Sequence, residues 1–297
     1  MDSKTRRESW IDAARGIAML MVISVHLSQC VSWLHQSVFS FGAMGVQLFF
    51  LLSGYCLCMK TTAVSGWRNF CELLARRYRR LAPWYLIGIV VYAIYWWIVG
   101  NSSSLENYTL GNVLANIMLI NALFPSAQNT IVPGGWSISC IALFSFVYPL
   151  FVDANRGVRI RSLAIVSIVG LMLACLGYVV FGLERQFIYC SLLNQFAVFT
   201  IGVAFYMLQD KLRRMKVWHE FVLAFVCFAL AAVAVLFDRE YAILYRHLLM
   251  ALSFAFGLML WMRADKWTPR WLVWTGRHSY EIFIMHFAVL WALLRRG

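Results

Sequence analysis

The first apolar stretch of this chain reads Ile11-Asp12-Ala13-Ala14-Arg15-Gly16 and continues through Met19-Leu20-Met21 to His26. It is typical of a membrane-spanning helix, yet it contains an aspartate, an arginine and a histidine. On an α-helix, Arg15 and His26 differ by about 20° around the axis and by about 16 Å along it. That depth is about half of a hydrocarbon core of roughly 30 Å, where an ionisable side chain is costly and indicates function.

Composition predicts the class of protein. The chain has 297 residues, of which 62% are hydrophobic and 13% charged, whereas a soluble domain carries about a quarter charged residues. We therefore predict an all-α, polytopic transmembrane bundle that forms a single domain over residues 1–297. The net charge of +13 is explained by basic cytoplasmic loops facing anionic lipid headgroups, and we expect no nucleic-acid partner. The eight cysteines have no metal-ligand spacing, so no metal site is expected.

Apolar runs long enough to span a bilayer occur at 11–31, 41–59, 82–99, 136–152, 162–181, 190–208, 218–237, 244–262 and 275–294. A tenth candidate, 111–124, is short and contains three asparagines. If it does not span, the basic loops near 156–161, 211–216 and 263–270 all fall on the same side as the basic N-terminus. The positive-inside rule therefore predicts about nine spans, a cytoplasmic N-terminus and a re-entrant or interfacial segment near 111–124.

The face that carries Asp12, Arg15 and His26 is the first candidate site. A neutral imidazole near the bilayer centre can accept a proton from an alcohol, because imidazole titrates near physiological pH. Arg15 can hold a phosphate or carboxylate, with Asp12 orienting its guanidinium. The structural alternative is a histidine that packs between helices while Arg15 extends to the lipid headgroups.

Four further stretches place polar or small residues in apolar surroundings: Phe49-Phe50-Leu51-Leu52-Ser53-Gly54-Tyr55, Arg76-Arg77-Tyr78-Arg79-Arg80-Leu81-Ala82-Pro83-Trp84-Tyr85, Pro133-Gly134-Gly135-Trp136-Ser137-Ile138-Ser139 and Gly276-Arg277-His278-Ser279-Tyr280-Glu281-Ile282-Phe283-Ile284-Met285-His286-Phe287. The step Ser53-Gly54 permits close helix approach, which is typical of ordinary packing as well as of a site. The arginines of 76–80 can clamp the phosphates of a nucleotide cofactor, or bind anionic lipids and set the topology. Pro83 is predicted to open a helix, where its missing N–H costs nothing.

The last two stretches lie at predicted helix entries. Trp136 and Ser137 would face a ligand entering from the outer side, although a cap followed by an interfacial tryptophan explains them equally well. Glu281 is the only acid of its span, so we expect a partner such as an arginine of another helix. His286 fits a packing role as well as a place in a site.

Taken together, the five stretches resemble the membrane acyltransferase-3 family, whose members O-acylate sugars and other acceptors. The resemblance covers nearly the whole chain. The family's first helix contains an arginine, ten residues and a histidine, as Arg15 and His26 do here. The other matching motifs are Phe49-Phe50-Leu51-Leu52-Ser53-Gly54, Arg77-Tyr78-Arg79-Arg80-Leu81-Ala82-Pro83, Trp136-Ser137-Ile138-Ser139, and Ser279-Tyr280 with His286.

The resemblance implies an O-acyltransferase whose co-substrate is a cytoplasmic acyl-CoA, most often acetyl-CoA, without a tightly bound cofactor. The acceptor would be a hydroxyl of a saccharide or glycolipid at the outer side of a bacterial inner membrane. His26 corresponds to the general base, with Arg15 as its partner and Asp12 beside it. The donor side is expected to include Arg76, Arg77, Arg80 and Ser53, and the acceptor side Trp136, Ser137, Tyr280 and His286.

Two departures from the family pattern leave alternatives open. Relatives commonly carry a glutamate shortly after the Trp-Ser step, where this chain has Ile141. Relatives also have one more span after the helix that contains His286, so we expect this chain to lack the final transmembrane helix. A catalytically impaired family member is therefore one alternative. A second alternative, from another class, is a transporter of a lipid-linked or anionic solute that uses Arg15 and His26 as a relay.

Overall fold

The computed structural model describes residues 9–31, 40–61, 67–152, 157–237, 241–263 and 268–294. Three short 3-10 helices lie at Ser40–Met44, Asn121–Leu123 and Tyr148–Phe151. The α-helices are α1 (Ser9–Cys30), α2 (Gly45–Thr61), α3 (Trp67–Val99), α4 (Ser102–Glu106), α5 (Leu110–Ile117), α6 (Gly135–Val147), α7 (Ile160–Val179), α8 (Arg185–Cys190), α9 (Leu192–Leu212), α10 (Val217–Phe237), α11 (Ala242–Arg263), α12 (Arg270–Arg277) and α13 (Ser279–Leu294).

The predicted all-α membrane bundle is confirmed. Within the described ranges, seven helices are long and apolar enough to cross a bilayer, and two shorter apolar helices cover Gly135–Phe151 and Ser279–Leu293. These nine elements correspond to the nine predicted spans. A chain in hydrocarbon satisfies its backbone hydrogen bonds internally, which is why such apolar runs become helices. The last predicted span, 275–294, is divided at His278, where α12 ends and α13 begins.

The segment near 111–124 is not a full span. It consists of α5 followed by the 3-10 helix Asn121–Leu123. Its three asparagines bond to backbone carbonyls: the side-chain amide of Asn112 donates to Asn107 at 2.9 Å, that of Asn116 to Asn112 at 2.8 Å, and that of Asn121 to Gln128 at 3.1 Å. The asparagines thus hold a compact, non-spanning segment together, as the charge pattern of the loops predicts.

The prediction that Pro83 opens a helix is wrong. α3 begins at Trp67 and runs for 33 residues, so Pro83 lies in its interior. The ring nitrogen of Pro83 has no hydrogen to donate to the carbonyl of Arg79, four residues earlier. The polar, arginine-rich turns before Pro83 continue the same helix, because they carry strong helix formers. The arginines of 76–80 are therefore on a regular helix, directly before the apolar part of α3.

Contacts divide the chain into two compact units. Unit 1 comprises 1–55 and 201–283, and unit 2 comprises 56–200 and 284–297. In unit 1, α1 packs against α12, and α10 packs against α11. In unit 2, the ring of Phe144 stacks on Phe199 with centroids 4.3 Å apart, and Phe196 contacts it edge-on at 5.2 Å. Each unit has its own buried apolar side chains. The single functional domain over 1–297 stays a prediction.

Candidate functional site

A buried carboxylate organises the start of α1 in unit 1. The Asp12 side chain is 1% exposed, and its two oxygens face two different guanidinium groups. Arg15 Nη1 lies 3.4 Å from Oδ1, and Arg277 Nε donates to Oδ2 at 3.1 Å. A carboxylate without water is stable only when it is paired and hydrogen-bonded. The predicted pairing of Asp12 with Arg15 is thus present, but Arg277 makes the shorter contact.

Two glycines bring α12 close enough for that contact. A methyl group built on Gly276 would overlap the backbone oxygen of Asp12, and one built on Gly16 would overlap that of Leu272. The helices therefore cross with their backbones in direct contact, which only residues without a side chain permit. This crossing places Arg277, at the last turn of α12, beside the first turn of α1.

The cluster of Asp12, Arg15 and Arg277 has two positive charges against one negative charge. The Arg15 side chain is 21% exposed and that of Arg277 is 51% exposed, whereas the carboxylate between them is buried. Guanidinium groups carry five N–H donors each and match phosphate and carboxylate oxygens well. The cluster is therefore suited to hold an anionic group near the start of α1.

His26 lies three turns further along α1 and is half-buried. Its Nδ1 is 3.0 Å from Oε1 of Gln29. An amide oxygen accepts hydrogen bonds, so in the tautomer in which Nδ1 donates to it, Nε2 carries the lone pair. In that tautomer Nε2 can accept a proton. Sequence reasoning identified His26 but missed Gln29, whose spacing of three residues on a helix is the signal that was available.

The other predicted residues of unit 1 are Ser53 and Tyr280, and both are half-buried. Tyr55, two residues after Ser53 on α2, is fully buried and connects this helix to its neighbours. Its hydroxyl donates to Oε1 of Gln209 at 2.8 Å, and its ring meets Trp10 edge-on at 5.2 Å. Tyr55 therefore joins α2 to α1 and α9, a role that the motif alone did not reveal.

Unit 2 contains the arginines predicted for the donor side. Arg76 pairs with Glu72 at 3.5 Å, and both side chains are more than a third exposed. Arg80 is exposed and Arg77 is half-buried. Next to them, the Tyr78 hydroxyl donates to the carbonyl of Ile117 at 2.9 Å, which fixes α3 against the end of α5. The arginines thus form a positively charged, accessible band on one helix.

Unit 2 also contains the glycine-rich entry to α6. Gly134 has φ of +78°, a left-handed conformation that favours glycine. Its N–H donates to Oδ1 of Asn129 at 2.7 Å, and its carbonyl accepts from the Ser137 hydroxyl at 2.8 Å. The predicted residues Trp136 and Ser137 are 6% and 3% exposed, and the Trp136 ring lies 5.6 Å from Tyr189. Both side chains thus belong to a tightly held turn.

A buried tyrosine supports that turn from α3. The Tyr85 hydroxyl donates to Oδ1 of Asn116 at 2.8 Å. A methyl group built on Gly135 would overlap this hydroxyl, so the glycine gives Tyr85 its space. Sequence reasoning quoted Tyr85 within the arginine stretch without a role. Its function is to connect α3, α5 and the start of α6.

His286, on α13, is buried and lies in the part of the helix that belongs to unit 2. One turn of this helix is fixed by Tyr92, whose hydroxyl donates to the carbonyl of Ile284 at 2.8 Å. Ile141, where the family resemblance implies a glutamate, is half-buried on α6. Of the predicted residues, unit 1 therefore brings together Asp12 and Arg15 on the helix of His26, while unit 2 holds the arginines, Trp136, Ser137 and His286.

The expected arginine partner of Glu281 stays a prediction. Glu281 Oε2 is buried and receives no hydrogen bond from any described residue. Arg277, one turn earlier, instead binds Asp12. Sequence reasoning also missed a second buried ion pair of unit 1. Glu220, which is fully buried, accepts from Arg263 Nε at 3.1 Å and also contacts Arg263 Nη2.

These features define an integral membrane protein built from helices, with a buried charged cluster on its first span. The chain belongs to the acyltransferase-3 family: the family model, described as an acyltransferase domain, matches residues 8–296.

Two curated relatives bear acyltransferase names. This chain is 23% identical to the "Putative peptidoglycan O-acetyltransferase YrhL" of Bacillus subtilis (strain 168), and the match covers 98% of this chain and 50% of the relative. This chain is 24% identical to the "Acyltransferase MdmB" of Streptomyces mycarofaciens, and the match covers 50% of this chain and 40% of the relative. The chain thus covers half or less of the length of these relatives. No solved structure matches the chain.

Proposed function

We propose that this protein transfers an acyl group, in particular acetyl, from cytoplasmic acyl-CoA to a hydroxyl of a cell-surface saccharide or glycolipid. The membership in an acyltransferase family supports the reaction class. The name of the Bacillus relative, which refers to peptidoglycan O-acetylation, supports the acyl group and the saccharide acceptor. The observation that carries the mechanism is the hydrogen bond between His26 Nδ1 and Gln29 Oε1, at 3.0 Å.

In the proposed reaction, Nε2 of His26 takes the proton of the acceptor hydroxyl. The hydroxyl oxygen attacks the thioester carbonyl carbon, and a tetrahedral intermediate forms. The intermediate then collapses, the carbon–sulfur bond breaks, and the proton on His26 passes to the departing CoA sulfur. The products are the O-acyl acceptor and CoA, and the histidine returns to its starting state. Gln29 stabilises the required tautomer and, while His26 is protonated, the imidazolium.

The donor side of the proposal rests on positive charge. Arg76, Arg77 and Arg80 form the accessible band on α3 and would bind the phosphates of CoA. Ser53, in unit 1, is a further residue proposed for the donor. Arg76 would exchange its contact with Glu72 for a phosphate, which an exposed ion pair permits because it contributes little. The cluster of Asp12, Arg15 and Arg277 has the charge to hold a further anionic group of either substrate.

The acceptor side of the proposal includes Trp136, Ser137, Tyr280 and His286. A tryptophan that lies against another aromatic ring offers an apolar face on which a sugar ring can stack. We further propose that the protein is in the inner membrane of a bacterium, with its N-terminus in the cytoplasm. The distribution of basic loops supports this orientation.

The test compares His26→Gln with the wild-type protein in membranes supplied with labelled acetyl-CoA. We expect the acyl transfer rate to fall about 100- to 10,000-fold, the contribution typical of a general base. His219→Gln is the matched control, because His219 is a half-buried histidine on α10 outside the proposed site. Whole-cell mass comparison of glycans and lipids would identify the acceptor by the gain of one acetyl group.

Two outcomes would contradict this proposal. If His26→Gln transfers acyl groups as fast as the wild type, His26 is not the general base. If the protein carries a solute across the membrane in a proton-coupled manner and consumes no acyl-CoA, the transporter alternative is correct. Gln29→Leu provides a finer test, because it keeps the imidazole but removes the hydrogen bond that selects the tautomer. We expect its pH–rate profile to shift while binding of acyl-CoA stays unchanged.

A further inference from the structure

Unit 1 contains an open apolar groove of about 390 Å³. Its walls come from four helices, α1, α2, α10 and α11, all within unit 1. Its lining includes Ala14, Leu48, Phe221, Phe225, Gly257 and Trp261. The volume lies in the range of small-molecule sites, but almost no polar group faces it.

The groove has a buried floor and an exposed rim. Ala14 and Leu48 are 0% and 3% exposed, whereas Phe221 and Phe225 on α10 are each 61% exposed. The hydroxyl of Ser253 is satisfied within the protein, because it donates to the carbonyl of Ala224 at 2.8 Å. The groove therefore offers dispersion contacts rather than hydrogen bonds to whatever occupies it. A flexible hydrocarbon chain fits these properties.

One end of the groove adjoins a strongly basic loop. Phe221 directly follows Glu220, and Trp261 comes two residues before Arg263, the partner of Glu220. Arg263 Nη2 also donates to the carbonyls of Arg213 and Met215, each at 2.9 Å. This ion pair therefore holds the loop between α9 and α10 at the end of the groove. The end of α9 and this loop expose four basic residues and no acid over 211–216: Lys211, Arg213, Arg214 and Lys216.

We propose that this groove binds one acyl chain of an anionic phospholipid from the surrounding bilayer, with the headgroup at the basic loop. Within a membrane the hydrophobic effect does not favour protein over lipid, so close packing and charge must supply the affinity. A Lys or Arg near the bilayer surface favours an anionic headgroup by about fivefold. The buried Glu220 is compensated by Arg263, so it does not cancel the charge of the loop.

The experiment measures lipid retained by the full chain. The protein is purified in detergent, equilibrated with phosphatidylglycerol and phosphatidylcholine of identical acyl chains, washed, and its bound lipid is quantified by mass spectrometry. We expect about one phosphatidylglycerol per protein, retained at least fivefold over phosphatidylcholine. Equal retention of the two lipids, or no retained lipid, would overturn the proposal.

Two pairs of variants locate the site. Gly257 lines the groove, and a Cβ atom built on it meets nothing within 4 Å. Gly257→Phe therefore places a ring in the groove, and we expect it to lower lipid retention severalfold. Leu252→Phe is its control, because Leu252 lies on the same helix, is 37% exposed and does not line the groove. Retention that is unchanged in Gly257→Phe would show that lipid binds elsewhere.

The second pair tests the headgroup. Arg214→Gln should reduce the preference for phosphatidylglycerol about fivefold, whereas Arg161→Gln, at an exposed position of α7 in unit 2, should not. An equal effect of both changes would mean that the preference comes from overall charge and not from this loop. Because the readout is bound lipid, these outcomes are independent of acyl transfer.

Discussion

Arg277 Nε lies 3.1 Å from Asp12 Oδ2, although 265 positions separate the two residues in the chain. The contact joins the start of the first span to the helix that precedes the last one. It depends on Gly16 and Gly276, which let the two helix backbones touch. The candidate catalytic helix α1 is therefore fixed near its first turn by a charge pair and a backbone crossing, about 20 Å along the axis before His26.

Asp12→Asn should destabilise the protein. The substitution keeps the shape of the side chain but removes the charge between two guanidinium groups. Breaking a buried ion pair lowers the free energy of unfolding by about 3–5 kcal/mol. Because Arg277 is partly exposed, we expect a loss at the lower end of this range for Asp12→Asn. Thermal unfolding in detergent measures the effect. Glu72→Gln, which breaks an exposed pair with Arg76, is the control and should change the free energy of unfolding by less than about 1 kcal/mol. Equal midpoints for the two variants would contradict the structural role of Asp12.

Gly276→Ala adds only one methyl group but should clearly lower the free energy of unfolding. The added methyl group would overlap the backbone oxygen of Asp12, so α1 and α12 must separate. We expect a loss of about 1–3 kcal/mol, as for overpacking elsewhere. Gly257→Ala, on α11, meets nothing within 4 Å and should stabilise the helix by about 0.5–1 kcal/mol. The two alanine variants are compared by unfolding in the same detergent, and a gain of stability in Gly276→Ala would show that the helices do not cross as described.

Glu220→Gln should release the loop between α9 and α10. Without the carboxylate, the Arg263 side chain is no longer held by an ion pair in the position from which it donates to the carbonyls of Arg213 and Met215. Trypsin cleaves after Lys and Arg, so the rate of cleavage within 211–216 should rise severalfold. Glu184→Gln, at an exposed acid of unit 2, is the control and should leave that rate unchanged. A cleavage rate equal to wild type in Glu220→Gln would mean that the loop is held by other contacts.

Tyr85→Phe should weaken unit 2. It removes the hydroxyl that donates to Asn116 and leaves a buried amide oxygen with one hydrogen bond fewer. We expect a loss of about 1–3 kcal/mol and reduced acyl transfer, because the turn before Trp136 rests on this tyrosine. Tyr78→Phe removes a hydroxyl bond at an exposed position, where water replaces the lost partner, and should cost less. The comparison uses unfolding midpoints, and a larger effect of Tyr78→Phe would contradict it.

Much of the fold follows from local sequence. Apolar runs of sufficient length become helices, because hydrocarbon forces the backbone to satisfy its own hydrogen bonds. The charge of the loops predicted that 111–124 does not span, and its asparagines bond to nearby backbone. The sequence misplaced the start of α3, because Pro83 looks like a helix start, whereas the polar turns before it continue the helix.

By itself, the sequence determined the class of protein, the positions of the membrane helices and a local pair on one helix, Asp12 with Arg15. These depend on composition and on helical spacing, which are local properties. Only the tertiary structure decided that Arg277 binds Asp12 and that Arg263 binds Glu220. Partners on different helices are set by where the backbones cross, and that depends on small residues far apart in the chain.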